Sequence, residues 1–203
     1  MHVPEKWRIE DQEQIYSFME SYGFATLISP SLQASHLPIM LDRENQRLFG
    51  HFARSNPHWR DIADSNEQHL VIFNGPHSYI SPNNYQSKPA VPTWNYVAVH
   101  VKGCANIMTN EETTQGLQLL MAKYEPELLK ADSVVTAQYQ EKLSKGIVGF
   151  SVAIETIEAK AKLGQHRSAA DQSGVANALR QSTNADSQAL YALMQKLKLG
   201  LGA

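Results

Sequence analysis

A strand end, an arginine and a helix start follow one another within residues 48–59, LFGHFARSNPHW. The apolar stretch stops before Arg54, and Asn56-Pro57 supplies an N-cap residue and a first-turn proline for a short helix through Ile62. Free N–H groups at a helix start and the forked donors of an arginine both attract anions, which predicts a site for a phosphate-bearing ligand. The alternative is structural: Arg54 pairs with a nearby carboxylate, and Asn56 only caps the helix.

A second segment combines aromatic rings with small polar side chains on a chain stiffened by proline. It covers residues 75–85, GPHSYISPNNY, and residues 91–96, VPTWNY. Aromatic rings here can stack on a flat ligand, while hydroxyl and amide groups bond its edge. The candidate residues are Tyr79, Ser81, Trp94 and Asn95. The alternative is a rigid loop that packs its own rings onto the rim of the domain.

The third candidate segment is a strand that runs into a basic turn, residues 159–167, AKAKLGQHR. Its alternation of alanine and lysine is typical of a strand with one exposed face. Gln165 and Arg167 follow the strand and can reach a ligand there. A solvated strand end accounts for them equally well, so both interpretations stay open.

Other kinds of chemistry lack their residue patterns. The eight histidines show no HExxH motif and no close pairing, so we expect no dedicated metal centre. The GxSxG elbow and the GxGxxG and GxxxxGKS/T loops are absent, which argues against a lipase-like hydrolase, a Rossmann fold and a P-loop enzyme. Cys104, the single cysteine, lies in a strand, where a small buried apolar side chain is a commoner role than a nucleophile.

The elements that carry these segments follow from hydrophobic periodicity and turn residues. Helices are predicted over residues 11–22, 56–62, 109–145 (divided at Pro126) and 186–198, and strands over residues 24–29, 35–41, 48–53, 69–74, 94–108 and 147–162. Residues 75–93 are predicted as a loop, and residues 168–173 and 181–185 as polar connectors. About six short strands with helices at the edges predict an α+β fold around a small antiparallel barrel.

The composition describes a soluble globular chain without a strong charge. Of 203 residues, 42% are hydrophobic and 19% charged, and the formal net charge is -2. Such a chain lacks the basic excess of nucleic-acid-binding proteins, so we expect its direct binding to DNA to be weak. No apolar run is long enough for a membrane span, and residues 1–13 lack the apolar core of a secretory signal, which together predict a cytoplasmic protein.

Several long motifs, in order along the chain, resemble the PaiB family of negative regulators of protease synthesis and sporulation. The matching stretches are HLPIMLD (36–42), LFGHFARSNPHW (48–59), VIFNGPHSYISPNNY (71–85), VPTWNYVAVHVKG (91–103) and KLGQHR (162–167), preceded by Met1, His2, Pro4 and Trp7 of an M-H/Y-x-P-x-x-F/W pattern. The resemblance runs from Met1 to about Leu179. This chain departs from the usual KLSQNR of the family at Gly164 and His166.

The resemblance implies an antiparallel split β-barrel of the FMN-binding type with peripheral helices. It implies that FMN lies at a dimer interface, with its phosphate held just after a barrel strand. The predicted FMN-binding residues are His51, Ala53, Arg54, Asn56, Trp59, Tyr79, Ser81, Trp94, Asn95, Gln165 and Arg167. Residues 1–180 are predicted to form one domain with a helical insertion around residues 110–145, and residues 181–203 a helix that packs on or extends it.

Two functions from different classes remain. One is a transcriptional regulator that holds FMN or a similar ligand and acts directly or through a partner; the other is an FMN-dependent oxidoreductase acting on a small substrate. A homodimer is expected in either case, because the strand over residues 94–108 carries Val97 and Val99 on one face and Tyr96 and Ala98 on the other. A helix of the same chain is the alternative cover for that second face.

Overall fold

The computed structural model describes residues 1–63, 67–130 and 134–202. Its strands are β1 (Phe24–Ile28), β2 (Ala34–Asp42), β3 (Arg47–Ala53), β4 (Gln68–Ile80), β5 (Thr93–Ile107), β6 (Ile147–Ala153) and β7 (Thr156–Lys162). Its α-helices are α1 (Gln12–Ser21), α2 (Trp59–Ala63), α3 (Asn110–Tyr124), α4 (Ala137–Ser144), α5 (Ala169–Gln181) and α6 (Ala185–Leu197). Short 3-10 turns cover Glu5–Trp7, Pro82–Asn84 and Pro126–Leu129.

The strands pair in the order β4-β1-β2-β3-β6-β5-β7, and β4 also pairs with β5. Every pairing with an assigned register is antiparallel, as in the ladder that runs from Arg47 opposite Ala153 to Ala53 opposite Ile147. Helices precede, interrupt and follow the strands rather than alternating with them. The antiparallel α+β class predicted from the sequence is therefore confirmed.

The chain divides into two compact units. The first unit comprises Met1–Phe18, Asn74–His100 and Glu158–Ala203, and the second comprises Met19–Phe73 and Val101–Ile157. The predicted boundary at residue 180 falls inside the last turn of α5, which packs on α6 within the first unit. The predicted helical insertion, α3 to α4, belongs to the second unit, and its residues 131–133 lie outside the described residues.

Each unit has its own apolar core. In the first unit Ile80, Val97, Val99, Leu163 and Met194 are at most 1% exposed. In the second unit the fully buried side chains include Leu27, Leu48, Phe52, Phe150 and Val152. Val97 and Val99 lie on the inner face of β5, and on its other face Ala98 is buried while Tyr96 and His100 are half-buried.

Capping side chains fix several helix starts. Asp11 accepts hydrogen bonds from the backbone N–H groups of Glu13 and Gln14 at the start of α1. Thr109 and Glu112 form a reciprocal capping box at α3. The short helix near residue 56 differs from its prediction: Asn56 precedes a turn, and α2 begins only at Trp59.

Two strand boundaries differ from the prediction. β4 continues to Ile80, into the predicted loop, because Ser78 and Ile80 alternate inward against the exposed His77 and Tyr79. The single strand predicted over residues 147–162 is two strands. The strand is interrupted at Ile154 and Glu155, whose N–H groups donate to the carbonyls of Gln46 and Lys102 instead.

The predicted connector at residues 168–173 is wrong, because α5 begins there. The Ser168 hydroxyl accepts from the N–H of Asp171 and caps the helix. Gly174 lowers the helix propensity of this stretch, but the backbone of Asn84 passes so close that a Cβ on residue 174 would lie 2.2 Å from its carbonyl oxygen. Close packing against Asn84 therefore requires glycine at position 174. Because glycine lowers helix propensity, the helix was not predicted from the sequence.

Candidate functional site

Arg54 follows β3 in the second unit, and its guanidinium holds the start of β6. Its Nε donates to the carbonyl of Lys145 and its Nη2 to the carbonyl of Ile147, both at 2.8 Å. These partners are backbone carbonyls rather than the carboxylate of the structural alternative. Since an arginine has five N–H donors, three have no partner among the residues that the structure describes.

A cavity of about 410 Å³ lies beside Arg54. Its lining residues are Arg54, Asn110, Glu111, Thr114, Ser144 and Lys145. Glu111 offsets part of the positive charge, and none of these six described residues has an aromatic ring. The cavity can receive a polar group but offers no flat surface to a ring system.

The neighbouring predicted residues serve local structure. Asn56 accepts from the N–H of His58 and donates to the Ser35 hydroxyl, and the indole Nε1 of Trp59 donates to the Arg54 carbonyl. Because α2 has five residues and starts after Asn56, the predicted helix-start anion site loses its geometric basis here. On β3, His51 is half-buried, which lowers its pKa, and Ala53 is exposed.

The first unit contains a second cavity of about 210 Å³, which we call the basic cavity. Its cationic lining residues are Lys6, Lys162 and Arg167, with His166 beside them. Trp7, Tyr85, Thr93 and Asn95 form further parts of its wall. Of the described residues that line it, none is acidic. An excess of donors and positive charge in one concave place favours an anionic ligand.

Trp7 is the aromatic centre of this cluster. The ammonium groups of Lys6, Lys160 and Lys162 lie 4.7, 5.3 and 5.5 Å from the centroid of its ring. Its indole Nε1 is buried and has no hydrogen-bond partner in the described part of the chain. A buried donor without a partner is uncommon, and here it belongs to a residue of the cavity wall. The donor set therefore fits an acceptor-rich ligand such as a phosphate ester.

Three predicted residues belong to this region. Asn95 is 2% exposed and lines the cavity. The guanidinium of Arg167 lies 4.5 Å from the centroid of the Tyr85 ring. Gln165 braces the turn: it donates to the carbonyls of Lys6 and Ala161 and accepts from the N–H of Leu163.

Asp171 holds the loop that carries Tyr85. Its Oδ1 accepts from the N–H groups of Gln86 and Ser87, each at 2.9 Å. The bond from the Ser87 N–H is the main reason that the pKa of this carboxyl lies below its usual value. The proline-rich segment is thus tied to the start of α5, which positions one wall of the basic cavity.

The remaining predicted residues lie elsewhere in the first unit. Tyr79 and Trp94 meet edge to face with centroids 6.1 Å apart, and each is about half exposed. Trp94 and His77 line a separate open cavity of about 430 Å³. The Ser81 hydroxyl accepts from the N–H of Asn83 and caps the 3-10 turn Pro82–Asn84.

Sequence reasoning missed Lys6, Trp7, Tyr85 and Lys162 as cavity residues. Trp7 was visible in the amino-terminal motif and Lys162 in the alternating strand, but they lie 155 residues apart (162 − 7) in the sequence. The fold brings these segments together through the bridge between Arg8 and Lys160, the bond from the Ile9 N–H to the Ala159 carbonyl, and the bond from Gln165 to the Lys6 carbonyl.

Comparison with known proteins assigns the family. Residues 1–156 match the family model described as "Putative FMN-binding domain". The chain is also 35% identical to the Protease synthase and sporulation protein PAI 2 of Bacillus subtilis, over 98% of this chain and 99% of that protein. The chain belongs to the PaiB family. The PaiB resemblance read from the sequence is confirmed, and FMN, the predicted cofactor, is the one that the family model names.

Solved structures with the same fold include a flavocytochrome and a protein that binds FAD and heme. The flavocytochrome Anf3 from Azotobacter vinelandii superposes with a TM-score of 0.61 at 13% identity, over 79% of this PaiB chain and 72% of that one. The FAD and heme binding protein from Mycobacterium smegmatis gives 0.58 at 14% identity, over 76% and 73%. At this identity the likeness shows the fold alone, and it supports the predicted split-barrel type.

Two further observations concern the described residues only. None of their helices combines the length and apolar character needed to cross a membrane. They contain no group of three or more His, Cys, Asp or Glu side chains arranged to hold a metal ion.

Proposed function

We propose that this PaiB-family chain is a flavin-binding regulatory protein that holds the phosphate end of FMN in the basic cavity. The observation that carries the proposal is the wall of that cavity, which combines Lys6, Lys162 and Arg167 with the side chain of Trp7 and has no acidic residue among those described. The family model supports FMN as the ligand.

The roles of the residues follow from their chemistry. The fork of Arg167 suits two phosphate oxygens, and the ammonium groups of Lys6 and Lys162 add charge-assisted bonds. Trp7 supplies an aromatic wall for the part of the ligand next to the phosphate. FMN, when bound, supplies a ring that can accept and return electrons.

The site beside Arg54 is the competing location for the phosphate. Arg54 retains free donors, but two of its bonds are committed to backbone carbonyls and Glu111 lies in the same cavity. The basic cavity has more positive charge and no opposing carboxylate among its described lining, so we favour it. The proposed contribution of Arg54, with that of His51 and Asn56, is then to hold the barrel end in shape.

A second copy of the chain completes the proposed site. Pockets for drug-sized ligands span about 300–1,000 Å³, whereas the basic cavity measures about 210 Å³. Val91, at its rim, is 68% exposed, and Trp94 and Tyr79 of the same unit are 52% and 51% exposed. These exposed apolar side chains are the kind that a two-fold dimer buries.

The regulatory role rests on the Bacillus subtilis relative, whose name refers to protease synthase and sporulation. With a formal net charge of -2, the chain is proposed to act on gene expression through a partner rather than by direct contact with DNA.

Flavin binding by matched variants tests the proposal. Arg167→Ala should weaken FMN by about 1.5–3 kcal/mol, roughly 10- to 150-fold in Kd, because it removes a hydrogen bond to a charged group. Riboflavin, which lacks the phosphate, should bind more weakly to the parent and respond little to the change. Arg180→Ala, an exposed arginine on α5 of the same unit, is the control. Quenching of flavin fluorescence gives the Kd values.

Three outcomes would contradict the proposal. A loss of FMN affinity in Arg54→Ala but not in Arg167→Ala would move the phosphate to the second unit. Equal losses for FMN and riboflavin would show that neither arginine holds the phosphate. If the FMN-loaded protein were bleached by NADPH and turned over a small acceptor, the oxidoreductase would replace the regulator.

A further inference from the structure

His166 occupies a fixed position at the basic cavity. It lies in a turn closed by the bond from the Arg167 N–H to the Gly164 carbonyl, 2.9 Å long. Gly164 has a φ of 80°, a conformation that glycine adopts without strain, so the turn is well defined. The imidazole meets the ring of Trp7 edge to face, with centroids 5.7 Å apart. The ring is therefore held at the cavity wall.

Among the described residues, the charged groups around His166 are all basic. Lys6 faces it from the turn Glu5–Trp7, Lys162 from the end of β7, and Arg167 from its own turn. Tyr85 is the other titratable residue of the described lining, and it contacts Arg167. Partial burial, and then the charges of Lys6, Arg167 and Lys162, lower the pKa of His166. The imidazole is accordingly uncharged at neutral pH while the cavity holds no anion.

A phosphate dianion reverses this balance. Its two negative charges offset the field of the lysines and the arginine, and the cost of protonating the imidazole falls. A protonated His166 would add a fourth cation and donate from either ring nitrogen.

We propose that His166 is a specificity-determining residue of the basic cavity, which takes up a proton from solvent when a phosphate dianion binds and thereby favours such ligands over uncharged ones. The inference rests on the proposed function, since it concerns the same cavity. Proton uptake and dianion binding then favour each other. The affinity for the dianion should therefore rise as the pH falls from the pKa of His166 in the complex to its pKa in the free protein.

Variants separate this effect from the titration of the ligand. The phosphate of FMN itself gains a proton near pH 6, which weakens binding in acid whatever the protein does. His166→Asn keeps a polar side chain of similar reach without a titrating group, so the ratio of parent to variant affinity cancels the contribution of the ligand. His166→Lys carries a permanent charge. His77→Asn, an exposed histidine of the same unit outside the basic cavity, is the control.

FMN titrations across mildly acidic to mildly alkaline pH give the main readout. The affinity ratio of parent to His166→Asn should rise roughly three- to tenfold as the pH falls. At alkaline pH, where the imidazole of the parent carries no charge, His166→Lys should bind FMN more tightly than the parent, and His77→Asn should follow the parent at every pH. Calorimetry in two buffers of different ionisation enthalpy should show more proton uptake by the parent than by His166→Asn.

A direct measurement keeps the inference open to refutation whatever the affinity for FMN. The imidazole C–H signal of His166 in an NMR spectrum, assigned by its loss in His166→Asn, should titrate at higher pH with inorganic phosphate than with chloride at equal ionic strength. An unmoved signal, together with a pH-independent affinity ratio, would refute the role of His166. If Arg167→Ala still weakened FMN, the proposed function would stand; if no variant bound FMN but phosphate moved the signal, the cavity would bind another phosphate ester.

Discussion

The imidazoles of His58 and His69 are each 1% exposed, and the Nε2 of each has no hydrogen-bond partner among the described residues. Nδ1 of His58 lies 2.8 Å from the Ser35 hydroxyl, and Nδ1 of His69 lies 3.1 Å from the Glu67 carbonyl. Burial lowers the pKa of both rings, although the carboxylate of Asp61 opposes this in each case. Both are held uncharged inside the second unit.

Acid should therefore destabilise the second unit. Above about pH 6.5, the pKa of an unfolded histidine, the ring is uncharged in both states and the fold keeps its full stability. Below that pH the unfolded state takes up a proton that the folded state does not, so the free energy of unfolding falls by about 1.4 kcal/mol per pH unit for each histidine. We expect the free energy of unfolding, measured in urea, to fall more steeply below about pH 6.5 in the parent than in His69→Gln. Parallel slopes in the two proteins would contradict the assignment.

Arg54 shows what the sequence could and could not predict about a single residue. Its type and its place after a strand indicated an anion site, and the guanidinium is indeed exposed beside a cavity. Its partners, the carbonyls of Lys145 and Ile147, come from a segment about ninety residues away, and no local pattern reports them. The sequence gives the charge of a side chain directly, but it does not show which of its hydrogen-bond donors are used by backbone carbonyls in the fold.

At the scale of elements, α5 and the turn Pro82–Asn84 approach each other through Gly174. In an open helix, Gly→Ala stabilises by about 1 kcal/mol. Here the added Cβ would lie 2.2 Å from the Asn84 carbonyl oxygen, inside any van der Waals contact. Gly174→Ala should instead destabilise the chain by about 1–3 kcal/mol, the usual cost of overpacking, as measured by urea unfolding.

Gly116→Ala in α3 provides the contrast. The nearest atoms to a Cβ there belong to the Phe49 side chain, at 3.3 and 3.4 Å, and a ring can shift where a backbone carbonyl cannot. We expect a smaller change in stability, of either sign. A stabilising Gly174→Ala would mean that the helix and the turn are less closely packed than described.

Elements with strong periodicity were predicted well, and those shaped by a tertiary neighbour were not. α1 and α3 were predicted from local patterns over residues 11–22 and 109–145, and both helices lie within those ranges. α5 was not predicted because its glycine is required by close contact with the backbone of Asn84, which lies ninety positions earlier in the sequence (174 − 84). The length of β4 depended on which side chains point inward, which becomes known only once the sheet is assembled.

At the scale of the whole molecule, the proposed dimer is the feature most open to test. Trp94→Asp places a charge on an exposed ring, so it should separate the subunits without unfolding the chain, and FMN affinity should fall with dimer content. Val99→Asp would be a poor choice, since Val99 is fully buried in its own unit. Light scattering should give about twice 22.7 kDa for the parent and 22.7 kDa for the variant.

Leu32→Asp is the matched control for this experiment. Leu32 is 83% exposed but lies in the second unit, so the variant should remain a dimer and bind FMN normally. Circular dichroism of each variant must match the parent. A parent chain that is monomeric at micromolar concentration and still binds FMN tightly would show that one copy suffices.

The uneven distribution of charge has a kinetic consequence. The chain is net negative, yet the charged residues in the described wall of the basic cavity are all cationic. Field lines converge in such a cleft, so an anion diffusing nearby is steered towards its mouth and away from the rest of the surface. Added salt shortens the range of this steering, since the Debye length shrinks from about 10 Å at 0.1 M to about 3 Å at 1 M. Salt should therefore slow the capture of a phosphate ester more than it hastens its escape.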